Sequence, residues 1–221
     1  MRKQEMNPQV IAAISAKRGQ IYRTFITIFT CLPDDAFWNY IHSEELGEFL
    51  KQHEALQYSI ITKGIQQISG YLENSVTEKD RQIEALAVDR TNLFRVPPNT
   101  TGFKLPYEGQ YQKEMKSSSS LLRLTNAYKK AGFVPMGKES LDFFCVELDF
   151  MRMLSQRIAE NPAEAQPVLS LQKNFLEAHL GKWICIYTEE AAPHAHTDFY
   201  RGWLMMLQGF IEIEKNYLQS I

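Results

Sequence analysis

Phe143-Phe144-Cys145-Val146-Glu147-Leu148-Asp149-Phe150-Met151-Arg152-Met153-Leu154 is the stretch that decides the fold class. Phe143, Val146, Phe150 and Leu154 fall on one face of a helix, with Leu148 and Met151 beside them. The same spacing continues in both directions. Toward the C-terminus, Asn161-Pro162-Ala163-Glu164 reads as a capping box with proline at the first helical position, opening a helix that bears Val168, Leu171, Phe175, Trp183 and Tyr187. Phe199, Trp203, Met206, Phe210 and Ile213 then step by four and three along a closing helix. Toward the N-terminus, Ser117 to Ser120 caps a helix from Leu121 to Ala131 that Gly132 ends. Thr77-Glu78-Lys79-Asp80 starts one that carries Ile83, Leu86, Leu93 and Phe94 and stops before Pro97-Pro98. Ala55 to Leu72 reads as a helix, as does the segment opened by Ser43-Glu44-Glu45. Asn7-Pro8 starts the first, with Val10, Ile14, Ile21, Phe25 and Ile28 recurring until Pro33. Alternating β-branched residues with hairpin turns occur nowhere.

The expected fold is therefore all-α, a single-domain bundle of about nine or ten helices over residues 1–221. One long irregular stretch interrupts it near 95–106, where Pro97, Pro98, Gly102 and Pro106 cluster. Loops of this length in a compact domain are usually functional or linkers. Composition agrees with a globular chain: 44% of its 221 residues are hydrophobic and 23% charged. Its 24 basic and 26 acidic side chains give a net charge of −2, which provides neither a basic face for nucleic acid nor a polybasic patch for a membrane. Cys31, Cys145 and Cys185 lie far apart with no CxxC pair, which suits a reducing compartment. Met1-Arg2-Lys3-Gln4-Glu5 carries no apolar signal region, and the apolar run Ile21 to Leu32 holds Arg23 and is too short to span a bilayer. The expected location is the cytoplasm, without membrane insertion.

Few residues carry chemistry by spacing alone. Gly132-Phe133-Val134-Pro135-Met136-Gly137-Lys138 matches seven positions of a phosphate-binding loop. However, Glu139 stands where Ser or Thr should bind magnesium, and a helix precedes it instead of a strand. A helix-to-helix connection is the better reading. His194-Ala195-His196 could face one metal from an extended segment, but no third ligand is fixed by spacing, so a solvated loop leading to a Thr197 N-cap is preferred. The Glu-x-x-His pairs of a di-metal carboxylate bundle are missing, as are GxSxG and HExxH. No cofactor and no catalytic set is implied. Acids among apolar residues remain. Asp142 opens the Phe143 to Ile158 helix, where a carboxylate serves backbone donors and the helix dipole, or else faces a groove that receives a cation. Glu108 beside Tyr107 invites the same two readings, and Phe94, Phe103, Tyr107, Phe143 and Phe144 are candidates to line an apolar groove near those acids.

Three stretches together resemble the TorD/DmsD family of cytoplasmic chaperones for molybdopterin oxidoreductases. Asp89-Arg90-Thr91-Asn92-Leu93-Phe94, a proline-bearing loop, and Pro106-Tyr107-Glu108-Gly109-Gln110-Tyr111 are similar to the family's Asp-Tyr-x-Arg-Leu-Phe and Pro-Tyr-Glu-Ser-x-Tyr. Glu139-Ser140-Leu141-Asp142-Phe143 leading into Glu147-Leu148-Asp149-Phe150-Met151 is similar to its acidic-Pro-x-Asp-His segment and Glu-Leu-x-Phe-Met. Phe175, His179-Leu180, Trp183 and Phe199-Tyr200 match its Phe-x-x-x-His-Leu-x-x-Trp and Phe-Tyr spacing. The chain departs from the pattern at Arg90, Asn92, Phe143 and Cys145, where the family has tyrosine, arginine, histidine and glycine.

The resemblance implies a non-catalytic chaperone that binds the twin-arginine leader, the apo-form, or both, of a molybdopterin-containing subunit. It also implies aid to cofactor insertion, delay of export until folding is complete, and a monomer or domain-swapped homodimer. A twin-arginine leader presents two guanidinium groups and then an apolar stretch, so its receptor needs carboxylates and an apolar groove. The expected peptide-binding residues are Asp142, Glu139 and Glu108 for charge, with Phe143, Tyr107, Pro106, Leu93, Phe94 and Phe103 for the groove. The competing classes are a helical metal protein or enzyme using His194 and His196, and a helical scaffold with another partner.

Overall fold

A computed structural model describes residues 7–74, 78–96, 102–112 and 117–221; of residues 117–119 it describes the backbone only. Eleven α-helices are found among these residues: α1 (Pro8–Thr30), α2 (Asp35–Ile41), α3 (Glu44–Glu54), α4 (Ser59–Glu73), α5 (Lys79–Phe94), α6 (Glu108–Tyr111), α7 (Ser117–Ala131), α8 (Phe144–Glu160), α9 (Ala165–Ala178), α10 (Leu180–Ala191) and α11 (Asp198–Ser220). No strand occurs among them; the one β-bridge pairs Tyr107 with Phe143. The all-α expectation holds.

Capping chemistry explains several of the boundaries. Asn7 Oδ1 accepts from Gln9 N, and Pro8 follows at the first helical position of α1. Asp34 caps α2 through Phe37 N and Ser43 caps α3 through Leu46 N. Gly132, at φ +72, ends α7 in the left-handed conformation that glycine takes without steric cost, while Phe133 N donates back to Tyr128 O. Thr197 Oγ1 accepts from Tyr200 N and so caps α11, as expected from its position after His196.

The sequence expectation needs four corrections. First, α2 and the single turn of α6 are additional, since seven and four residues hold too few turns to show a period. Second, α4 starts at Ser59 and not near Ala55, because Gln57 takes φ +51 and breaks the chain direction. Third, the helix expected to run from Asn161 to Tyr187 is two, broken at His179 with φ −128 and ψ −108. Asn161 makes no side-chain cap there; its amide donates to Glu164 and a 3₁₀ turn, Pro162–Glu164, precedes α9. Fourth, α7 begins within the serine run at Ser117 and not after it. Pro97, Pro98 and Thr77, expected as helix stops and starts, lie outside the described residues, as do residues 97–101 of the long loop.

The chain forms two compact units. The first takes residues up to Thr27, Tyr107–Lys182 and Lys215–Ile221; the second takes Ile28–Pro106 and Trp183–Glu214. In the first, α8 packs on α9 through a continuous run of rings. Tyr128 meets Phe150 (5.0 Å), Phe150 meets Phe175 (4.5 Å), and Phe175 meets His179 (5.0 Å). Beside it lies a buried polar chain: Arg18 donates to Gln172, whose amide donates to Ser155 Oγ (2.8 Å), whose hydroxyl donates to Met151 O. Buried polar groups are tolerable when satisfied in this way. In the second unit α4 and α11 cross at glycine. A Cβ on Gly64 would stand 2.6 Å from the Gly202 carbonyl, and one on Gly202 would stand closer still to that of Gly64. Only glycine on both helices permits that approach.

Candidate functional site

The motif residues of the first unit meet around α6. Tyr107 and Phe143 form the antiparallel bridge, with their rings 5.4 Å apart. Glu108 N donates to Asp142 O (2.9 Å), and Gly109 N donates to Asp142 Oδ2 (3.3 Å). The second carboxylate oxygen, Oδ1, accepts from Ser140 Oγ at 2.5 Å. Asp142 is therefore not the cap of α8, whose N-cap is Phe143 with no side-chain hydrogen bond. It serves the first turn of α6 instead, so the capping chemistry read from the sequence exists but on another helix.

Glu108 is wholly buried and its carboxylate accepts from His179 Nδ1 at 3.0 Å and from the Gln112 amide. This pairing joins the Pro-Tyr-Glu segment to the Phe-x-x-x-His-Leu segment across 71 residues of chain. Sequence reading quoted both motifs and missed their contact, because no spacing rule links residues so far apart. The break at His179 has its physical reason here: leaving the helix lets the imidazole add a second partner to a buried carboxylate that Gln112 also serves.

Residues 132–143 connect α7 to α8, as expected in place of a phosphate cradle. Phe133 is buried against Tyr128 and Phe150, and Tyr128 donates its hydroxyl to Leu141 O (3.0 Å), so both ends of the connection are tied. Between them Val134 and Met136 stand 79% and 89% exposed, and Glu139 is exposed as well. Burial pushes the Tyr128 phenol upward, and the carboxylates of Glu147, Glu108, Asp142 and Asp149 add to the shift.

Leu93, Phe94, Phe103 and Pro106 belong to the second unit and are buried there. Phe94 packs edge-on to Phe29 and Tyr200, and Phe103 lies 5.2 Å from the His194 ring. The motif acid Asp89 is also buried in this unit. It accepts from His196 N (3.0 Å), Thr197 N (2.7 Å) and Thr197 Oγ1 (2.6 Å), which anchors the start of α11. Arg90, placed where the family pattern has tyrosine, donates to Thr30 O. Among the described residues no group of three or more His, Cys, Asp or Glu side chains is arranged to hold a metal ion, and no helix is long and apolar enough to cross a membrane.

What these observations define is an all-helical fold whose motif segments are tied together by buried hydrogen bonds. The family model described as the nitrate reductase delta subunit matches residues 60–188, more than half of the chain, so the chain belongs to that family, and the TorD kinship read from motif order holds. It is similar to the chaperone protein TorD of Aeromonas salmonicida (strain A449), 24% identical over 217 residues and 96% of each chain. It is equally similar to the chaperone protein TorD of Vibrio parahaemolyticus serotype O3:K6, 24% identical over 220 residues, 95% of this chain and 98% of that one. The perchlorate reductase assembly chaperone protein of Dechloromonas aromatica (strain RCB) is 25% identical over 111 residues, 48% of this chain and 50% of that one. No solved structure matches significantly.

Proposed function

We propose that this chain is a maturation chaperone for the catalytic subunit of a molybdopterin oxidoreductase, holding the subunit until its cofactor is in place and export can begin. The observation that carries this reading is the end-to-end match to two TorD chaperones, with the motif acids in family order. The work on this reading is binding and not bond-making.

The twin-arginine leader of the client is read at the connection between α7 and α8. Glu139 offers an exposed carboxylate to a guanidinium. Asp142, only 7% exposed and already serving Gly109 and Ser140, adds a fixed negative field behind it. Tyr107 and Phe143 support this acid from the bridge. Glu108 contributes by holding His179, while Leu93, Phe94, Phe103 and Pro106 act as framework in the second unit, without direct contact.

Calorimetric titration with a synthetic twin-arginine leader peptide tests this. Glu139→Gln and Asp142→Asn should each weaken binding about tenfold, equivalent to about 1.4 kcal/mol. A peptide with both arginines replaced by glutamine should not bind. Equal affinity for the two peptides would sink the leader reading. A large fall in thermal midpoint for Asp142→Asn, with affinity unchanged, would leave that residue a structural cap alone.

A further inference from the structure

Asp89 and Arg90 are neighbours in the chain, yet in the second unit their side chains go to different elements. Asp89 gives its carboxylate to the start of α11, where His196 N, Thr197 N and the Thr197 hydroxyl all donate to it. Arg90 turns to the end of α1 and donates Nη2 to Thr30 O at 2.9 Å. Arg90 is only 7% exposed, and that carbonyl is the sole acceptor it meets among the described residues, with no carboxylate at ion-pair distance. Its Nε is enclosed and has no partner among them. Nearby, Tyr200 is wholly buried, and its hydroxyl is likewise without a partner among the described residues. Burial raises that phenol and the Arg90 charge pulls it back, so the guanidinium and the hydroxyl act on each other without being bonded. Asp89, Tyr71 and Cys31 add smaller upward pushes. Phe94 and Phe199 meet the Tyr200 ring edge-on at 6.0 and 5.3 Å and supply apolar walls.

Buried donors are nearly always paired, because an unpaired one forfeits its hydration for nothing. Here two stand close together, one of them on a cation that no adjacent carboxylate balances. A water molecule would satisfy both donors and leave the charge uncompensated. An anion with two acceptor oxygens meets all three needs. The single guanidinium, with the Asp89 charge in range of the same hydroxyl, favours one negative charge over two. The aromatic walls call for a small anion, and the flat guanidinium edge for a flat one. Arg90 stands where the family pattern has tyrosine, so this cation is a feature that the pattern does not call for.

We propose that Arg90 and Tyr200 bind a small, planar, monovalent oxyanion, of which formate and nitrate are the simplest examples, held by Arg90 Nε–H and the Tyr200 hydroxyl. The site belongs to the second unit and does not depend on the leader contact at Glu139 and Asp142.

The test uses the full chain, isotopically labelled at the arginine nitrogens, and follows by nuclear magnetic resonance the Nε–H signal that Arg90→Lys removes. Sodium formate should shift that signal saturably when it replaces sodium gluconate at constant ionic strength, gluconate being too bulky for the site. Sodium nitrate should compete with it. Tyr200→Phe should keep its thermal midpoint without formate, since its hydroxyl has no partner to lose, and should weaken formate binding at least about tenfold. Formate should raise the thermal midpoint of the original chain and leave that of Arg90→Lys unchanged. A shift that grows without saturation, or an equal rise in midpoint for Arg90→Lys, would show a general salt effect and overturn the proposal. So would unchanged formate affinity in Tyr200→Phe, or an Arg90 signal that ignores both anions, as a site filled by water alone would give.

Discussion

The two units solve the same problem, fixing helices that are distant in the chain, by different means. The first does it with buried polar contacts: Glu108 to His179, Asp142 to Gly109, and Arg18 through Gln172 to Ser155. The second does it more with shape, through glycine against glycine between α4 and α11, with Asp89 at the start of α11 and Arg90 on the Thr30 carbonyl as polar ties. Hydrogen-bonded groups specify partners by direction, and removing one partner leaves the other desolvated. Close packing specifies partners by volume, and adding one methyl is enough to disturb it. These two sets of contacts should therefore fail in opposite ways, one to deletion of atoms and the other to their addition.

The largest expected effect comes from deletion in the first unit. Glu108→Ala strands the buried His179 imidazole and should cost about 3 kcal/mol, read as the fall in unfolding free energy by urea. The double replacement Glu108→Leu/His179→Leu should recover most of that loss, because an apolar pair needs no partner. A double variant as unstable as the single one would show that volume, and not the stranded imidazole, sets the cost. Next in size is addition in the second unit. Gly202→Ala should cost about 1–3 kcal/mol by forcing α4 from α11, while Gly47→Ala, with open space around its Cβ position, should change little. Equal effects at the two glycines would end the claim that close approach holds these helices.

The smallest effect is alkaline. Burial, helped by the Asp89 charge, pushes the Tyr71 phenol up to about 12, above its ordinary value near 10. Tyr128 in the first unit and Tyr200 in the second are pushed upward too, chiefly by burial. A raised phenol means that the folded chain holds its proton more tightly than the unfolded one. This stability is complete below about pH 10 and is lost as pH rises through about 12. Thermal midpoints measured across that window should fall, and Tyr71→Phe should fall less steeply. An identical slope for the variant would take Tyr71 out of the alkaline response.

Much of this was legible in the sequence because it is local. The face shared by Phe143, Val146, Phe150 and Leu154, the Asn7 and Ser43 caps and the Gly132 stop all act within a turn or two. The seven residues of α2 fell below what periodicity can register. The His179 break was hidden because Phe175, Trp183 and Tyr187 keep helical spacing across it; only the distant Glu108 explains the departure. Of the candidate site, Asp142 was legible as a capping acid, but its helix was not, since α6 lies 33 residues upstream.

The interleaving of the two units also bears on how the chain emerges during synthesis. The first unit draws on three separate stretches, the last of which starts at Lys215, while the second needs Trp183–Glu214. Neither can be completed by a nascent chain until the segments from Trp183 or Lys215 onward have been made, and Arg18 of α1 must wait for Gln172. Contacts so distant in sequence slow folding, because a long loop must close before any of them forms. A protein proposed to guard another during maturation would thus itself pass through a long unprotected interval before it could do so.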